Sequence, residues 1–476
     1  TPHSTRYSVL AAISLLIFAM SVAAARDCLS NPVTSTSIKS GFCAYTFGSF
    51  GGPLRGIDIA PNNDLLVLVR TSPALIKAVY ETPGSPDPTS VTLASLSGLN
   101  HAVKYKDGFV YASSDSTVFR WTYQGRSPMT GQTTVITGLP GGGHSTRTIE
   151  FGEHDDWIYI SIGSGGNLDT NSARARVVRA HLNASTTLPI AYSAMEVFAD
   201  GLRNEVGLRM DPQNRLWGVE NGIDNLDRFA TTPPLYITNP AEEVNIFTQA
   251  NAGRHYGYPW CWSEGIGENG NALSFSGGKG NGTIWATSAS DTTHNDAWCK
   301  SQTLPCAWAM QAHSAPLDIF FDTNRTLHNG PVAIITLHGS WNRPDNFRAG
   351  YRVDFLRLDD NYNVLGMENL ISFTQDGSSR PVAGVRGPCA SYGSCIFITD
   401  DAADGRLLAI AEVSGSTPDA ANSPAVQPSL APIQGNTIHI TSQMTLTYSI
   451  RDGILQTGVV NQGASGWLGI GWKSTA

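Results

Sequence analysis

A repeated turn-and-strand unit is the feature of this sequence that most constrains its fold. Short apolar strands recur between turns rich in Gly, Asp and Asn, and helical periodicity is scarce. Strands opened by an arginine or a histidine recur at intervals of 46, 46, 56, 110 and 67 residues, at Arg55, His101, Arg147, Arg203, His313 and Arg380. A four-stranded propeller blade needs about 40–50 residues. The six units therefore predict an all-β fold, a six-bladed β-propeller in which residues 228–312 form a long loop insertion capping one face.

The residues that open these strands predict a charged rim. The innermost strands of a propeller surround a central channel, so equivalent positions at their starts meet on one face. Four guanidinium groups there would repel one another unless an anion lay between them, and a guanidinium suits carboxylates and phosphates. The pattern thus predicts a compact ligand with several negative charges. The alternative is that each arginine pairs with a carboxylate of a neighbouring blade.

The charge of the whole chain excludes one class of partner. The 31 basic and 39 acidic side chains give a net charge of -8, and the sequence has no basic run. A protein that binds nucleic acid needs a basic face for the phosphates. We therefore expect no nucleic-acid partner.

Three short motifs add chemistry to the predicted rim. His144 lies on a glycine-rich connection three residues before Arg147, where an imidazole can act as a base near neutral pH. Residues 221–224 form a turn whose carbonyl and carboxylate oxygens suit Ca²⁺, although an ordinary Asn-Gly turn has the same pattern. A planar cofactor could stack on the indole and guanidinium of the run LHGSWNR, which contains His338, Trp341 and Arg343.

Together these motifs resemble those of a known enzyme family. In the family order they are GGGHSTRTIEF, YISIGSGGN, GLRNEVGL, LWGVENGIDNL, AGRHYGYPWCW, HSAPLDI, LHGSWNR and RPVAGV with FITDD. They resemble the quinoprotein dehydrogenases of the soluble glucose and sorbosone dehydrogenase superfamily. The similarity is greatest to the fungal pyrroloquinoline quinone (PQQ)-dependent pyranose dehydrogenases, over roughly residues 40–415. It implies a six-bladed propeller, PQQ and Ca²⁺ as cofactors, and oxidation of the anomeric hydroxyl of pyranose sugars to lactones.

The resemblance also implies roles for individual residues. His144 matches the general base that takes the anomeric hydroxyl proton while a hydride passes to PQQ. Arg203 and Asn204 match quinone-binding residues. The Ca²⁺ ligands match the backbone carbonyls of Gly222 and Ile223.

The cofactor carboxylates have one clear partner by this resemblance and several further candidates. Arg380 matches a carboxylate-binding arginine of the family. The second such arginine, two residues later in the family, is Val382 here. We expect its charge to come from one of three other residues, Arg55, Arg343 or His338. Arg147 and Trp341 are further candidate cofactor contacts. In the insertion, the residues that could stack on a sugar are Trp260, Trp262 and Trp298.

The start of the chain and its cysteines predict a secreted, extracellular protein. Arg6 precedes the uncharged run 8–25, which ends in three alanines, so residues 1–25 are expected to be a cleaved signal peptide. A signal anchor is the alternative, because the run reaches the lower limit of a membrane span. Seven cysteines without CxxC pairs favour disulfides, and the predicted pairs are Cys28–Cys43, Cys261–Cys299 and Cys389–Cys395, with Cys306 left over. Glycosylation is expected at the sequons that begin at Asn183, Asn281 and Asn324.

Composition divides the rest of the chain. Residues 26–413 form the predicted propeller, 414–432 a Ser/Pro/Ala-rich linker and 433–476 a β-rich tail. The tail resembles the first hairpins of a cytochrome-type sandwich domain, or it is an extra strand pair of the propeller. By the same resemblance, the electron acceptor would be a cytochrome domain or an oxidative partner enzyme. The alternative functions are a calcium-dependent lactonase or hydrolase and a cofactor-free carbohydrate-binding propeller.

Overall fold

The computed structural model describes most of the chain in two compact units, Thr1–Ser416 and Thr417–Ala476. The boundary falls within the predicted linker, whose residues lie outside the described ranges, as does the predicted signal peptide. No helix in the described part is long and apolar enough to cross a membrane. The described residues are 27–30, 32–152, 156–231, 234–265, 282–323, 325–328, 330–340, 343, 348–402 and 404–413, with the backbone of 436–441, 444–451 and 454–461.

The first unit is a six-bladed β-propeller, which confirms the predicted fold class. The first blade contains β3 (Leu54–Ile59), β4 (Leu65–Val69), β5 (Ala74–Tyr80) and β6 (Thr89–Leu96). The second contains β7 (Leu99–Lys106), β8 (Phe109–Ser114), β9 (Thr117–Thr122) and β10 (Thr130–Thr137). The third contains β11 (Ile149–Phe151), β12 (Trp157–Ile162), β13 (Arg176–His181) and β15 (Glu196–Asp200). Within each blade the successive strands are antiparallel. The short β14 (Ile190–Ala191) and β19 (Arg254–His255) add parallel edges to the second and third blades.

The remaining three blades close the ring. The fourth blade contains β16 (Glu205–Met210), β17 (Leu216–Glu220), β18 (Glu242–Phe247) and β22 (Trp308–Met310). The fifth contains β23 (Pro316–Phe321), β24 (Val332–Leu337), β25 (Arg352–Leu358) and β26 (Val364–Ser372), and β1 (Ser37–Ile38) pairs with its outer edge. The sixth contains β27 (Pro381–Cys389), β28 (Gly393–Asp400), β29 (Arg406–Glu412) and β2 (Phe42–Ser49). The last blade takes its outer strand from the start of the chain, with Phe42 opposite Glu412 and Ser49 opposite Arg406. This pairing completes the last blade with a strand from the start of the chain and so closes the ring.

The hydrophobic core lies between adjacent blades. The strand β4 (LLVLV) is buried along its whole length because neighbouring layers cover both of its faces. Five buried apolar clusters each join two consecutive blades. A sixth links Tyr45 of the last blade to Leu54 of the first and also includes Val206 and Leu317 on the inner strands of the fourth and fifth blades. Burial of apolar surface at all these contacts stabilises the ring as one unit.

The long insertion does more than cap a face. Its segments β18 and β22 form two strands of the fourth blade, and β19 joins the third. Between them lie the hairpin of β20 (Cys261–Ser263) and β21 (Ile284–Ala286) and the helix α1 (Asp296–Gln302), with 3₁₀ turns at Tyr192–Ala194, Leu235–Ile237 and Gln249–Asn251 elsewhere. The predicted loop cap over 228–312 therefore includes strands of the blades. The sequence did not reveal these strands, because their apolar runs are short and separated.

The disulfides are the predicted ones. Cys28–Cys43, Cys261–Cys299 and Cys389–Cys395 are bonded, and Cys306 is the free cysteine among the described residues. The second bridge ties β20 to α1 within the insertion. The first anchors the segment before β2, the strand that closes the ring.

The second unit contains a three-stranded antiparallel meander. Its strands are β30 (Asn436–Thr441), β31 (Met444–Arg451) and β32 (Ile454–Asn461). The motif 465–472, on which the resemblance to a cytochrome-type domain partly rests, lies outside the described residues, so that resemblance stays a prediction.

Candidate active site on the propeller rim

The residues that open the inner strands do meet around one channel. Each innermost strand contacts the next, from β3 through β7, β11, β16 and β23 to β27, which contacts β3 again. Arg55 and His101 lie within β3 and β7, and the other four immediately precede or adjoin their strands. The repeat in the sequence thus becomes a ring of polar side chains at one end of the channel.

The glycine-rich connection before β11 is held in place by Arg147. This side chain is 0% exposed. Its guanidinium donates to the carbonyl oxygens of Pro140 (2.7 Å), Thr146 (2.7 Å) and His144 (2.8 Å) and to the Asp115 carboxylate (3.1 Å). The predicted cofactor contact of Arg147 does not fit this geometry, because the donors that would reach a ligand are turned into the loop.

His144 is presented at the end of that connection. Its Nδ1 lies 2.8 Å from Ser164 Oγ, and its backbone N–H donates to the Ser164 carbonyl at 3.0 Å. Partial burial, followed by the nearby charge of Arg203, lowers the pKa of His144 to about 4. The imidazole is therefore neutral at pH 7, the form that can accept a proton.

Arg203 is braced by the two loops on either side of it. It is 4% exposed, and its guanidinium donates to Asn167 O (3.2 Å), Asn167 Oδ1 (3.0 Å), Asn221 O (3.3 Å) and Asp224 Oδ2 (2.8 Å). A guanidinium has five N–H donors, so these four bonds leave one N–H for a ligand. The side chain is a fixed donor rather than a mobile one.

The predicted metal ligands lie on the next turn. The N–H of Gly222 donates to Glu242 Oε2 at 2.6 Å, and this hydrogen bond holds the backbone of the turn in place. Burial is the main cause that raises the pKa of Glu242 to about 7. Within the described residues, the carbonyl oxygens of Gly222 and Ile223 accept no hydrogen bond. Two adjacent uncommitted carbonyls are a donor set that suits a hard cation.

Buried carboxyl groups support this part of the rim. Glu220 Oε1 accepts a hydrogen bond from the Arg203 backbone N–H at 2.5 Å, and Asn245 Nδ2 donates to Glu205 (3.2 Å) and Glu220 (3.4 Å). Burial raises the pKa of Glu205, Glu220 and Glu243. Carboxyl groups that hold protons in the interior avoid the cost of a buried charge.

A second cluster surrounds Asp401, just after β28. Its carboxylate binds Arg55 Nη1 at 2.8 Å and His338 Nε2 at 2.9 Å, and Arg55 Nη2 lies 3.3 Å from His101 Nδ1. Two of the three candidates for the charge missing at Val382 are thus brought together. Asp401 is the second aspartate of the motif FITDD, so the sequence contained this residue but did not predict its role.

The other predicted contacts are scattered. Arg343 donates to the Ala312 carbonyl at 3.2 Å and lies near His313, away from the Asp401 cluster. Arg380 is exposed and forms no ion pair with any described residue, so its guanidinium is available. Asn204 follows Arg203 at the start of β16, and its Oδ1 lies close to Gly163, the residue before Ser164. Trp341 lies outside the described residues.

The ring of arginines is therefore only partly a ring of free charge. Arg55, Arg147 and Arg203 each have a carboxylate partner, as the alternative interpretation of the pattern proposed, whereas Arg380 has none within the described part. Sequence spacing located the arginines, but their partner carboxylates lie on other turns, 21, 32 and 346 residues away in the chain for Arg203, Arg147 and Arg55.

The three tryptophans of the insertion differ in accessibility. Trp262 is buried, and its indole N–H donates to the Ala286 carbonyl at 3.1 Å. Trp260 stacks in parallel on His294, with ring centroids 4.2 Å apart, and Trp298 meets the same ring edge-on at 4.7 Å. Trp262 is therefore not placed to stack on a sugar.

Sequence reasoning missed the residues that hold the functional groups. These residues lie just beyond strand ends, within the motifs given above, and they are Ser164, Asn167, Asp224 and Asp401. A search for polar residues at those ends could have found them. Their partners could not have been found in this way, because folding brings together residues that lie from 20 positions apart, for His144 and Ser164, to 346 apart, for Arg55 and Asp401.

The fold and this site define a class: a six-bladed propeller with a neutral histidine, a braced arginine and uncommitted carbonyls on one rim. Residues 36–375 match the TrAA12-like family. The chain belongs to the TrAA12-like family, as the motif resemblance predicted.

Relatives and solved structures agree with this assignment. A PQQ-dependent sugar dehydrogenase of Hypocrea jecorina (strain QM6a) is 31% identical over 272 residues, 53% of this chain and 60% of that protein. A PQQ-dependent pyranose dehydrogenase of Coprinopsis cinerea is 28% identical over 338 residues, 68% of this chain and 45% of that protein. The chain thus spans about half the length of the curated relatives it matches.

Two solved structures share the fold. A family AA12 carbohydrate-active enzyme of Trichoderma reesei is 24% identical, with a TM-score of 0.69 over 82% of this chain and 100% of that one. The PQQ domain of the Coprinopsis cinerea pyranose dehydrogenase, in its holo form, is 22% identical, with a TM-score of 0.69 over 80% of this chain and 98% of that one. At this identity the likeness shows the fold alone.

Proposed function

We propose that this chain is a PQQ-dependent sugar dehydrogenase that oxidises the anomeric hydroxyl of pyranose sugars to lactones. The observation that carries the proposal is the neutral, anchored imidazole of His144 beside the guanidinium of Arg203. A proton acceptor and an anion-binding group then adjoin each other on the rim. The names of the relatives and the family membership support the same activity.

The residues present fit a planar quinone with several carboxylates. Arg380 has no carboxylate partner among the described residues, and Arg203 keeps one N–H for a ligand. The Nε of Arg55 is buried without a hydrogen-bond partner. Arg203, Asn204 and Arg380 would hold the cofactor, with Arg55 and His338 as further contacts through the Asp401 cluster. Such donors suit carboxylates and quinone oxygens.

The chemistry divides between the protein and the cofactor. Bound PQQ supplies the acceptor for the electron pair that leaves the sugar as a hydride. His144 takes the hydroxyl proton, and partial burial together with the nearby charge of Arg203 keeps the imidazole neutral until it does so. The sugar loses one proton and one hydride, which leaves the lactone.

Calcium is part of this proposal. The Gly222 and Ile223 carbonyls would hold Ca²⁺ beside the quinone, where a cation favours the reduced state. A calcium structure of the Trichoderma reesei family AA12 enzyme supports the choice of metal. The rival lactonase would need a cluster of side-chain ligands, and the described residues contain no group of three or more His, Cys, Asp or Glu placed to hold a metal.

Secretion and the electron acceptor complete the proposal. Three disulfides suit an oxidising compartment and support an extracellular location. Electrons would pass to a cytochrome domain or an oxidative partner enzyme, as the family resemblance implies. Glycosylation is proposed at Asn183, which is exposed, whereas Asn281 and Asn324 lie outside the described residues.

The test begins with titration of metal-stripped protein with PQQ, with and without Ca²⁺, followed by aldoses and an artificial electron acceptor. We expect Ca²⁺-dependent changes in PQQ absorbance and reduction of the acceptor. H144A should retain PQQ binding and lose most turnover, because the proton acceptor is gone, whereas R203A should weaken PQQ binding. Folded wild-type protein that binds no PQQ would overturn the cofactor, and undiminished turnover by H144A would overturn the base.

A further inference from the structure

The His144 ring contacts the hydroxyl group of Ser164. Ser164 is fully buried, and its backbone is fixed on both sides: its N–H donates to the Arg203 carbonyl at 2.8 Å, and its own carbonyl accepts the His144 N–H. The Ser164 Oγ lies 2.8 Å from His144 Nδ1 and 2.7 Å from the Gly166 carbonyl oxygen. The hydroxyl group therefore lies between the imidazole and a carbonyl oxygen.

The direction of these hydrogen bonds follows from the number of protons. A hydroxyl has one proton to donate, and a carbonyl oxygen can only accept. At 2.7 Å the contact with Gly166 is favourable only if the Ser164 proton lies on it. The hydroxyl must then accept at its other contact, so His144 Nδ1 carries a proton and donates.

A nearby phenol does not change this result. The Tyr258 hydroxyl lies 3.1 Å from the Asn167 carbonyl and 3.4 Å from the Gly166 carbonyl, and it also interacts with the Ser164 hydroxyl, which can accept more than one hydrogen bond. Its single proton is best placed on Asn167, the nearer acceptor. The short contact to Gly166 thus remains for Ser164.

We propose that Ser164 is a positioning residue that fixes His144 in the Nδ1–H tautomer and leaves Nε2 as the nitrogen that accepts the substrate proton. The assignment of the tautomer rests on the hydrogen-bond network alone, and the assignment of Nε2 to the substrate rests on the proposed function. A neutral hydroxyl orients the ring without adding charge. The base is therefore aligned but not made more basic by a partner carboxylate.

The decisive measurement uses the wild-type protein. Two-bond ¹H–¹⁵N correlation spectra of histidine-labelled protein at pH 7 distinguish a protonated from an unprotonated ring nitrogen, and comparison with H144A identifies the His144 signals. We expect Nδ1 protonated and Nε2 unprotonated. The opposite tautomer, or a mixture of the two, would overturn the proposal whether or not the protein oxidises sugars.

A pair of variants tests the role in turnover. S164A removes the acceptor for the Nδ1 proton, so we expect a mixture of tautomers and a kcat about tenfold lower, with KM and PQQ affinity unchanged. The matched control is T336V, which deletes another buried hydroxyl, one that donates to the Val382 carbonyl at 2.7 Å in the fifth blade. T336V should change neither the His144 spectrum nor kcat. A single Nδ1–H tautomer in S164A would show that Ser164 does not fix the ring.

The two levels of failure are distinguishable. Protein that shows the expected tautomer but binds no PQQ would contradict the proposed function and leave the positioning role intact. Protein that oxidises sugars with His144 in the Nε2–H form would contradict the positioning role alone.

Discussion

Replacement of Arg147 by methionine separates two roles for this residue. The sequence pattern predicts a cofactor contact, whereas the structure turns the side chain into the loop that carries His144. The guanidinium is 0% exposed and bonds the carbonyls of Pro140, His144 and Thr146 together with the Asp115 carboxylate. Methionine retains an unbranched apolar stem but has no N–H donor, so all four bonds disappear.

The magnitude follows from the three carbonyl bonds. The Asp115 side chain is 49% exposed, so its ion pair contributes little to stability. A hydrogen bond that involves a charged group contributes about 1.5–3 kcal/mol. Part of the energy of these three bonds taken together is offset, because the folded variant no longer has a charge to desolvate. We expect R147M to lower the free energy of unfolding by about 3 kcal/mol.

Urea denaturation at pH 7, followed by tryptophan fluorescence, measures this loss. The matched control is R325M, because Arg325 pairs with Asp360 where both side chains are exposed (44% and 85%), and its loss should cost under about 1 kcal/mol. Folded R147M should bind PQQ with near wild-type affinity and turn over more slowly, since the His144 loop is less well held. A variant as stable as wild type with weakened PQQ binding would refute the loop-holding role and restore the cofactor contact.

Three further expectations concern charge. Because the pKa of His144 is lowered to about 4, the acid limb of the kcat/KM profile should lie near pH 4, and a limb near 6.5 would contradict this. D401N should lower the free energy of unfolding by about 3 kcal/mol, since buried Arg55 loses its carboxylate; an unchanged urea midpoint would contradict the pairing. Burial raises the pKa of Glu243, so the folded chain retains a proton that the unfolded chain releases above its ordinary pKa. The stability that this retained proton contributes is lost as the pH rises from the ordinary pKa of a glutamate through the raised pKa of Glu243. E243Q should therefore reduce the fall of the melting temperature between pH 5 and 8, with Glu205, Glu220 and Glu242 left to contribute the remainder, and an unaltered pH dependence would refute the argument.

Much of the fold was predictable because a propeller repeats. Inner strands opened by an arginine or a histidine, each followed by a turn and a second apolar strand such as β4, recur at blade length, and local sequence is enough to show this. The three disulfides followed from spacing for the same reason: Cys28 and Cys43 are 15 residues apart, and Cys389 and Cys395 only 6. The fourth blade was harder to predict, since the insertion separates β18 from β22.

The site residues were predictable as residue types and less so as roles. His144, Arg203 and the Gly222–Ile223 turn lie in motifs that can be identified from the sequence alone. Whether an arginine faces a ligand or a loop cannot be read from its motif. Arg147 and Arg380 open equivalent strands, yet one is fully buried in the glycine-rich connection and the other is exposed.

The sequence by itself determined the blade repeat and the family, because each depends on residues near one another or on the order of motifs, and it suggested the disulfide pairs that the structure contains. Only the tertiary structure decided which charges are compensated and how the base is oriented. Asp401 reaches Arg55 across 346 residues of sequence, and the Ser164 hydroxyl is oriented by a carbonyl two residues away while it meets His144 from the next strand. Hydrogen bonds and ion pairs act over about 3 Å of space, and closure of the propeller ring sets those distances.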